Sequence, residues 1–430
     1  MRPRGLVVAY LLISSGAVVQ GQTTVLTLAE LEQRALEHNP TLHQADAQVA
    51  VMQGHASQAG RWANPSIGYT AEEVSSSPTM RGGEHGFFFE QVFPISGKLS
   101  ADKAIFERKA EEARAIREGQ RLRVLNSVRA GYYEALIAAR RVAVRQDLAA
   151  LFDEAVGVSR RLANVGAADR TDILASEIEA EQARLGLEDA RNEERRIWQR
   201  LAQVVGDPLL RVQPLAGDPD EGLPAFDLDV VMAALPRESP ELRAAEAGVE
   251  RAEAELARAR KESHPDLVVR AGPRYNRELL DHGPSPVGWE FFTDVGISVP
   301  LWNRNQGGVA AAEAELRRAH AEVTRVELSL HSRLADVFEE YSTTATRVRA
   351  FRDEIVPRAQ ESHRLFMNRY QEMAAAYPQV LISQRTLFQV SEQYLEALAT
   401  SWKAAVLIEG QLLDGGLEQP SLPGGATVAR

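Results

Sequence analysis

WEFFTDVGISVPL, residues 289–301, is the stretch of sequence that decides the fold. Its side chains alternate between two faces. One face carries Trp289, Phe291, Thr293, Val295, Ile297, Val299 and Leu301, and the other carries Glu290, Phe292, Asp294, Gly296 and Ser298. A period of two residues indicates a β-strand. A tilted strand needs about 9–11 residues to cross a lipid bilayer, so this segment is long enough to do so.

Three other segments alternate in the same way, which predicts four strands at about residues 65–74, 85–95, 266–276 and 289–301. Apolar side chains toward lipid and polar side chains toward a water-filled lumen are the signature of a membrane barrel. The residues predicted to face lipid are Ile67, Tyr69, Phe87, Phe89, Phe93, Leu267, Val269, Tyr275, Trp289, Phe291, Val295, Ile297 and Val299. The residues predicted to face the lumen are Glu72, Glu90, Arg270, Arg274, Glu290 and Asp294. Gln91 interrupts the apolar face of its strand.

The number of strands predicts the assembly. Four strands cannot close a barrel, whereas three chains supply twelve, which can. We therefore expect a homotrimer with a 12-stranded β-barrel. Taken alone, the strands also fit two ordinary soluble hairpins.

Very long helices accompany the strands. From Leu99 to about Leu162 apolar residues and alanines recur every three or four positions without a proline. A helix of that length would measure about 95 Å at 1.5 Å per residue. The second long helix is predicted from about Gly308 past Tyr370, with a kink at Pro357. Helices this long either pair as coiled coils or line a tube.

The chain contains an internal duplication. Residues 28–71 and 228–271 share nine identities at an offset of 200, and the offset grows to 206 at Pro94 and Pro300. Each copy is predicted to run helix, strand, strand, very long helix, turn, helix. The predicted organisation is a signal peptide at 1–21, a first repeat at 22–206, a linker at 207–226, a second repeat at 227–414 and a flexible C-terminal tail at 415–430.

The N-terminus and the composition bear on location. Arg2 and Arg4 precede an apolar stretch of about 15 residues, which is typical of a cleaved export signal and short for a membrane span. The chain has no cysteine, which excludes disulfides, thiolate metal sites and a lipid anchor. Its net charge of −11 argues against nucleic-acid binding.

With these features, the sequence resembles the TolC family of outer-membrane efflux proteins over about residues 25–414. The motifs that carry the resemblance are NPTLHQADAQV with its counterpart SPELRAAEAGV, VPLWNRNQGGVAAAEAEL, RLANVGAADRTDIL, and RYQEMAAAYPQVLISQRTLFQVSEQYLEAL. The run FPISGK resembles most the heavy-metal, CzcC-like branch of that family.

The resemblance implies a trimer that joins the barrel in the outer membrane to a twelve-helix tunnel across the periplasm, with the linker at the equator of the tunnel. Such ducts dock onto a periplasmic adaptor and an inner-membrane pump of the RND type, and export through the duct itself is passive. The turns at about 164–171 and 371–378 would form the periplasmic tip. By position in these motifs, the residues expected at the entrance or at the adaptor contact are Gly166, Asp169, Asp172, Met373 and Gln379. Asp169 is equally well placed to be a helix N-cap.

The sequence lacks the motifs of common enzyme classes, so we expect no enzymatic activity and no cofactor. It contains no HExxH, GxSxG, Walker or GxGxxG motif. The nine histidines are scattered, and His264, which precedes a proline, is expected to bond locally to the backbone rather than to a metal.

We therefore predict an exit duct for heavy-metal cations. The sequence also fits two alternatives: a duct of the same fold for drugs, small molecules or a secreted polypeptide, and a periplasmic coiled-coil scaffold without a pore.

Overall fold

The order of secondary-structure elements occurs twice along the chain. The computed structural model describes residues 25–74, 83–166, 168–279 and 285–422; the predicted signal peptide lies outside these ranges. The first set comprises α1 (Leu28–His38), α2 (Pro40–Ala59), β1 (Ser66–Glu72), β2 (Glu84–Pro94), α3 (Lys98–Asn164) and α4 (Arg170–Val205). The second set comprises α5 (Leu228–Glu238), α6 (Pro240–Lys261), β3 (Asp266–Leu279), β4 (Pro286–Ile297), α7 (Gln306–Ala350), α8 (Val356–Gln371) and α9 (Tyr377–Glu409). The prediction of a mainly α-helical chain with four strands is confirmed.

Capped prolines separate the first two helices of each set, as the sequence predicts. The Asn39 side chain accepts a hydrogen bond from the Thr41 amide at 2.9 Å, and Pro40 occupies the first helical position. Ser239 accepts one from the Leu242 amide at 3.4 Å in the same way. Proline costs nothing at this position because its missing N–H would have no partner inside the helix.

The long helices are as extended as predicted. α3 has 67 residues and is therefore about 100 Å long. The predicted kink at Pro357 takes the form of a π-helical turn at Phe351–Ile355, where the Val356 amide bonds to the Phe351 carbonyl. Proline cannot donate the usual bond to the residue four positions back, and one widened turn absorbs that loss. None of the helices in the described ranges combines the length and the apolar content that crossing a bilayer requires.

Two equivalent hydrophobic clusters hold the helices together. Leu31 of α1, Val128 of α3 and Trp198 of α4 are buried in the first cluster. The second cluster contains Leu235 of α5, Leu330 of α7 and Ile408 of α9. Each short opening helix is thus fixed against a long helix of its own set by apolar burial, which is the dominant favourable term in folding.

The segment between the two sets is anchored by two tyrosines, one on each of the helices α3 and α7. Tyr132 of α3 donates its hydroxyl to the Ala216 carbonyl, and Tyr341 of α7 donates to the Pro224 carbonyl. The residue Leu26 also forms a parallel bridge with Leu215. The predicted linker at 207–226 is therefore packed against both sets.

The beginning of the predicted C-terminal tail is docked on the protein. The Gly416 amide donates to the Ser127 hydroxyl at 2.9 Å, and its carbonyl accepts from the Thr41 hydroxyl at 3.1 Å. Gln120 donates to the Glu418 carbonyl at 3.2 Å. Residues 415–422 therefore differ from the flexible tail that the sequence predicts, because buried polar side chains hold their backbone. Residues 423–430 lie outside the described ranges.

Candidate functional site

The four strands form one antiparallel sheet in the order β1-β2-β3-β4, and its two faces differ in chemistry. Directly opposite residues are Ile67 and Phe89 in the first pair of strands, and Tyr275 and Trp289 in the last. Apart from Leu279 with Pro286, which lies past a register shift, the pairings join odd-numbered residues to odd-numbered ones. The odd positions up to that shift therefore share one face. The even positions share the other.

The odd-numbered face is apolar and open. All the residues predicted to face lipid lie on it except Val299, and not one of them is buried within the protomer. Ile67 is 78% exposed and Phe291 is 72% exposed. Gln91, the polar residue on this face, is buried and donates to the Ala63 and Val92 carbonyls, each at 3.0 Å. Its amide is therefore hydrogen-bonded to backbone.

The even-numbered face carries a network of charges. It holds all six residues predicted to face the lumen. The Arg274 guanidinium lies 2.5 Å from a Glu84 oxygen and 3.1 Å from a Glu290 oxygen. Asn276 donates to Glu84 at 2.9 Å. An arginine between two carboxylates on three neighbouring strands makes this face polar and ties the strands together.

Aromatic rings on the charged face were not singled out by the sequence analysis. The Arg270 guanidinium lies 4.0 Å from the centre of the Phe88 ring and 5.9 Å from that of Phe292. Phe88 in turn covers Gly68, where an added Cβ would lie 2.5 Å from the ring. A glycine opposite an aromatic residue on a paired strand was the available signal. These rings stack with the arginine, so their place on a polar face is explained by cation–π attraction.

Strand β4 ends at Ile297, earlier than the sequence predicts. Val299 and Leu301 therefore lie beyond it, both exposed. The reason is the length of the neighbouring strand: β3 begins at Asp266, and Leu267 is already paired with Ile297. Among the described residues of one protomer, no strand is paired with the chain beyond residue 298 on that side.

The first helical turn joins α3 to α4, and its predicted residues shape the backbone. Gly166 has φ +77°, a left-handed conformation that glycine adopts without strain. The Asp169 side chain accepts from the Asp172 amide at 2.9 Å, and the Asp172 side chain accepts from the Asp169 amide at 3.3 Å. The two aspartates therefore form a reciprocal cap on α4. Such a cap contributes about 1 kcal/mol to helix stability.

The second helical turn joins α8 to α9 and is built differently. Met373 takes the left-handed position with φ 59° and is 65% exposed. Gln379 lies in the first turn of α9, where its amide donates to the Ala376 carbonyl at 3.1 Å. No carboxylate in this turn corresponds to Asp172, as the sequence shows.

The two turns are packed side by side. Val158 and Leu162 of α3 are buried against Met367 and Tyr370 of α8. The Ser159 and Tyr370 hydroxyls lie 3.2 Å apart in the same contact. Burial raises the pKa of Tyr370, although the hydrogen bond from Ser159 opposes that effect. The helices that lead into the two turns are therefore in contact where the turns begin.

The histidines at the ends of two helices bond to nearby backbone carbonyls. His264 donates from Nδ1 to the Lys261 carbonyl at 3.2 Å, which confirms the local bond predicted for it. His38 likewise donates to the Arg34 carbonyl at 2.9 Å. The described part of the chain contains no group of three or more His, Cys, Asp or Glu side chains placed to hold a metal ion.

Comparisons with known proteins agree on one family. The family described as "Outer membrane efflux protein" matches residues 31–207 and again residues 233–407. The chain is 24% identical to the cobalt-zinc-cadmium resistance protein CzcC of Cupriavidus metallidurans, over 95% of this chain and 97% of that protein. It is 26% identical to the nickel-cobalt-cadmium resistance protein NccC of Alcaligenes xylosoxydans xylosoxydans, over 78% of this chain and 75% of that one.

A solved structure shares the fold. CusC, whose crystal structures concern folding and transmembrane channel formation, superimposes with a TM-score of 0.75 at 15% identity. The match covers 90% of this chain and 92% of CusC.

Proposed function

The chain belongs to the family of outer membrane efflux proteins, and from that premise we propose that three copies form a passive exit duct for heavy-metal cations. An inner-membrane pump of the RND type and a periplasmic adaptor would deliver the cations to the helical end. The duct would act without a cofactor and without catalysing a reaction.

The observation that carries this proposal is the two-faced sheet. Its odd-numbered face presents large apolar side chains to the surroundings, and its even-numbered face presents Glu72, Glu90 and the Arg274 network. The sheet is also open at both edges, since β1 and β4 each have one paired neighbour in the described chain. Joining three such sheets edge to edge removes every open edge and gives twelve strands.

The energetics assign the faces. A side chain such as Phe291 gains about 2 kcal/mol or more when it leaves water for an apolar medium. An arginine in the middle of a bilayer costs about 2–4 kcal/mol. The odd face therefore belongs toward lipid, and Arg270, Arg274, Glu290 and Asp294 belong toward the water-filled lumen.

The helical end is proposed as the entrance and the adaptor contact. Gly166 and Met373 both sit in left-handed turns, and the two turns are held together by buried contacts. Because Asp169 and Asp172 are engaged in capping α4, their first role is to fix the shape of that turn. A rigid pair of turns offers an adaptor a defined surface to dock on.

The cargo is proposed from the relatives and from charge. CzcC is named as a cobalt-zinc-cadmium resistance protein and NccC as a nickel-cobalt-cadmium resistance protein. The likeness to CzcC extends over nearly the whole of both chains. The net charge of −11 also favours cations near the protein over anions.

Conductance across a planar lipid bilayer tests the duct. Purified protein in detergent should migrate as a heat-sensitive trimer and should give steady channel currents after insertion. A protein that stays monomeric and gives no current would be a periplasmic scaffold, and the proposal would be wrong.

Cargo is tested separately in the source bacterium. Deletion of the gene should lower tolerance to cobalt, zinc, cadmium or nickel, and the intact gene should restore it. Sensitivity to drugs or detergents with unchanged metal tolerance would instead assign a small-molecule cargo to the same architecture.

A further inference from the structure

The strand pairing that joins the two copies within one chain, here called the internal seam, predicts the strand pairing that joins neighbouring subunits, here called the seam between subunits. Within the chain, the last strand of the first copy, β2, pairs with the first strand of the second copy, β3. In a closed ring the last strand of the second copy, β4, meets the first strand of the next subunit, β1. The two seams therefore join equivalent strands in the same antiparallel sense.

The two copies can be aligned through their own geometry. The duplication relates β1 to β3 by an offset of 200. In an antiparallel pair of strands, the two residue numbers of every directly opposite pair have the same sum. This sum is 156 in the first hairpin, as in Ser66 with Glu90, and 564 in the second up to its register shift, as in Leu267 with Ile297. The two sums differ by 408, and an offset of 200 between β1 and β3 accounts for part of that difference. The remaining 208 is the offset between β2 and β4.

The helix starts give the same value independently. Gly97 precedes α3 and Asn305 precedes α7, both with left-handed φ of 68° and 62°. Their numbers also differ by 208. The alignment of sequences alone gives 206 at the nearby prolines, so the structure corrects it by two residues. Because a strand has a period of two residues, this correction leaves each side chain on the same face of the sheet.

From this alignment we propose the register of the seam between subunits, an inference that rests on the proposed trimeric duct. Opposite residues in the internal seam sum to 360, as in Gln91 with Val269. The seam between subunits replaces β2 by β4, whose residue numbers are higher by 208, and β3 by β1, whose residue numbers are lower by 200. Directly opposite residue numbers in that seam therefore add up to 368. Val299 then lies opposite Tyr69 of the partner subunit, and Leu301 lies opposite Ile67 of the partner subunit.

The proposed seam accounts for the early end of β4. Val299 and Leu301 lie past the last residue that β3 can pair, yet they are 55% and 58% exposed and have the odd numbering of the apolar face. In the seam they gain a partner strand from the other side. β4 then extends to Leu301, which is the length that its alternating sequence predicts.

The packing of the helices next to the strands supports the same equivalence between the two seams. α3 packs along α6 beside the internal seam. The equivalent helices by the same offsets are α7 and α2, and within the described residues of one protomer these two do not pack along each other. The missing contact is the one that α7 would make with α2 of the partner subunit.

Disulfide trapping tests the register, because the chain has no cysteine of its own. Directly opposite Cβ atoms lie about 4.5–5.5 Å apart and diagonal ones about 7–8 Å apart, whereas a disulfide needs about 3.5–4.5 Å. The full-length double variant Val299→Cys/Tyr69→Cys, expressed in the outer membrane and treated with a mild oxidant, should become mostly covalent trimer on non-reducing gels. The pairs Val299→Cys/Ile67→Cys and Val299→Cys/Ala71→Cys should give at least fivefold less.

Controls separate the possible failures. Phe93→Cys/Leu267→Cys should bridge within one subunit and leave its mass unchanged, which verifies the trapping chemistry. Each variant must run as a trimer when reduced and unheated, which verifies folding. Strong trapping by one of the two shifted pairs would overturn the register but keep the trimeric duct. A trapped monomer, or no trapping by any of the three pairs although Phe93→Cys/Leu267→Cys bridges, would overturn both.

Discussion

Placing an arginine on the odd-numbered face of β4 should cost far more than placing one on the even-numbered face next to it. Val295 is 66% exposed on the apolar face. The residues of β4 and its extension that are predicted to face lipid run from Trp289 to Val299, about ten residue steps, and each step rises about 2.5 Å at a tilt of about 40°. This stretch is thus about 25 Å tall, the height of the apolar band of a barrel, and Val295 lies within about one residue of its middle.

Val295→Arg should therefore destabilise the membrane-inserted protein by about 2–4 kcal/mol, the cost of an arginine near the bilayer midplane. Gly296→Arg is the matched control, because Gly296 faces the other way and an added Cβ there meets nothing within 4 Å. Its cost should stay below about 1 kcal/mol, as for an ordinary surface substitution. The two free energies of unfolding can be compared by urea titration of protein reconstituted in phosphatidylcholine vesicles at equal protein concentration. If Gly296→Arg costs as much as Val295→Arg, the assignment of faces is wrong.

Three further predictions concern the helical part. Asp169→Ala should loosen the first turn by about 1 kcal/mol, seen as faster hydrogen exchange at the start of α4, while Asp169→Asn should keep most of the protection. Arg251→Ala should lower the free energy of unfolding by about 3–5 kcal/mol, because it removes the guanidinium that bonds the buried Glu112 carboxylate at 2.9 Å. Arg191→Ala, which removes an exposed pair, should cost no more than about 1 kcal/mol in the same unfolding experiment. Burial lowers the pKa of His363, so its contribution to stability is complete above about pH 6.5 and is lost as the pH falls below that value. The melting temperature of wild type should therefore fall from pH 7.5 to 5.5 by more than that of His363→Gln; equal falls would contradict it.

The sequence predicts the strands and long helices well, because both follow from side-chain periodicity. The two faces of β4 can be assigned from residues 289–301 alone, since a strand has a period of two and the large apolar side chains on its odd face are exposed. The N-caps Asn39 and Ser239 are predictable for a similar reason: a capping residue directly before proline has few other conformations open to it.

What the sequence does not reveal depends on contacts between distant segments. Gln91 interrupts the apolar pattern of its strand, and only the structure shows that its side-chain amide donates to the Ala63 carbonyl. The π-helical turn before Pro357 and the docking of Gly416 likewise depend on neighbours that no local pattern identifies. The roles of Met373 and Gln379 at the tip stay predictions, since their conformations are described but the partner is a different protein.

The docked segment after α9 has a consequence for the order of events during biogenesis. The side-chain amide of Asn39 donates to the Gly416 carbonyl across 377 positions of the chain. Asn39 also donates to the Val204 carbonyl, and Thr41 also accepts from Gln120. Only the two bonds to the Gly416 carbonyl therefore wait until the segment after α9 has been exported. Contacts between such remote positions form slowly, because a long loop must close first. A chain that stops before Gly416 would lack the two bonds to its carbonyl, so the cell's quality-control proteases could recognise such a truncated subunit before assembly.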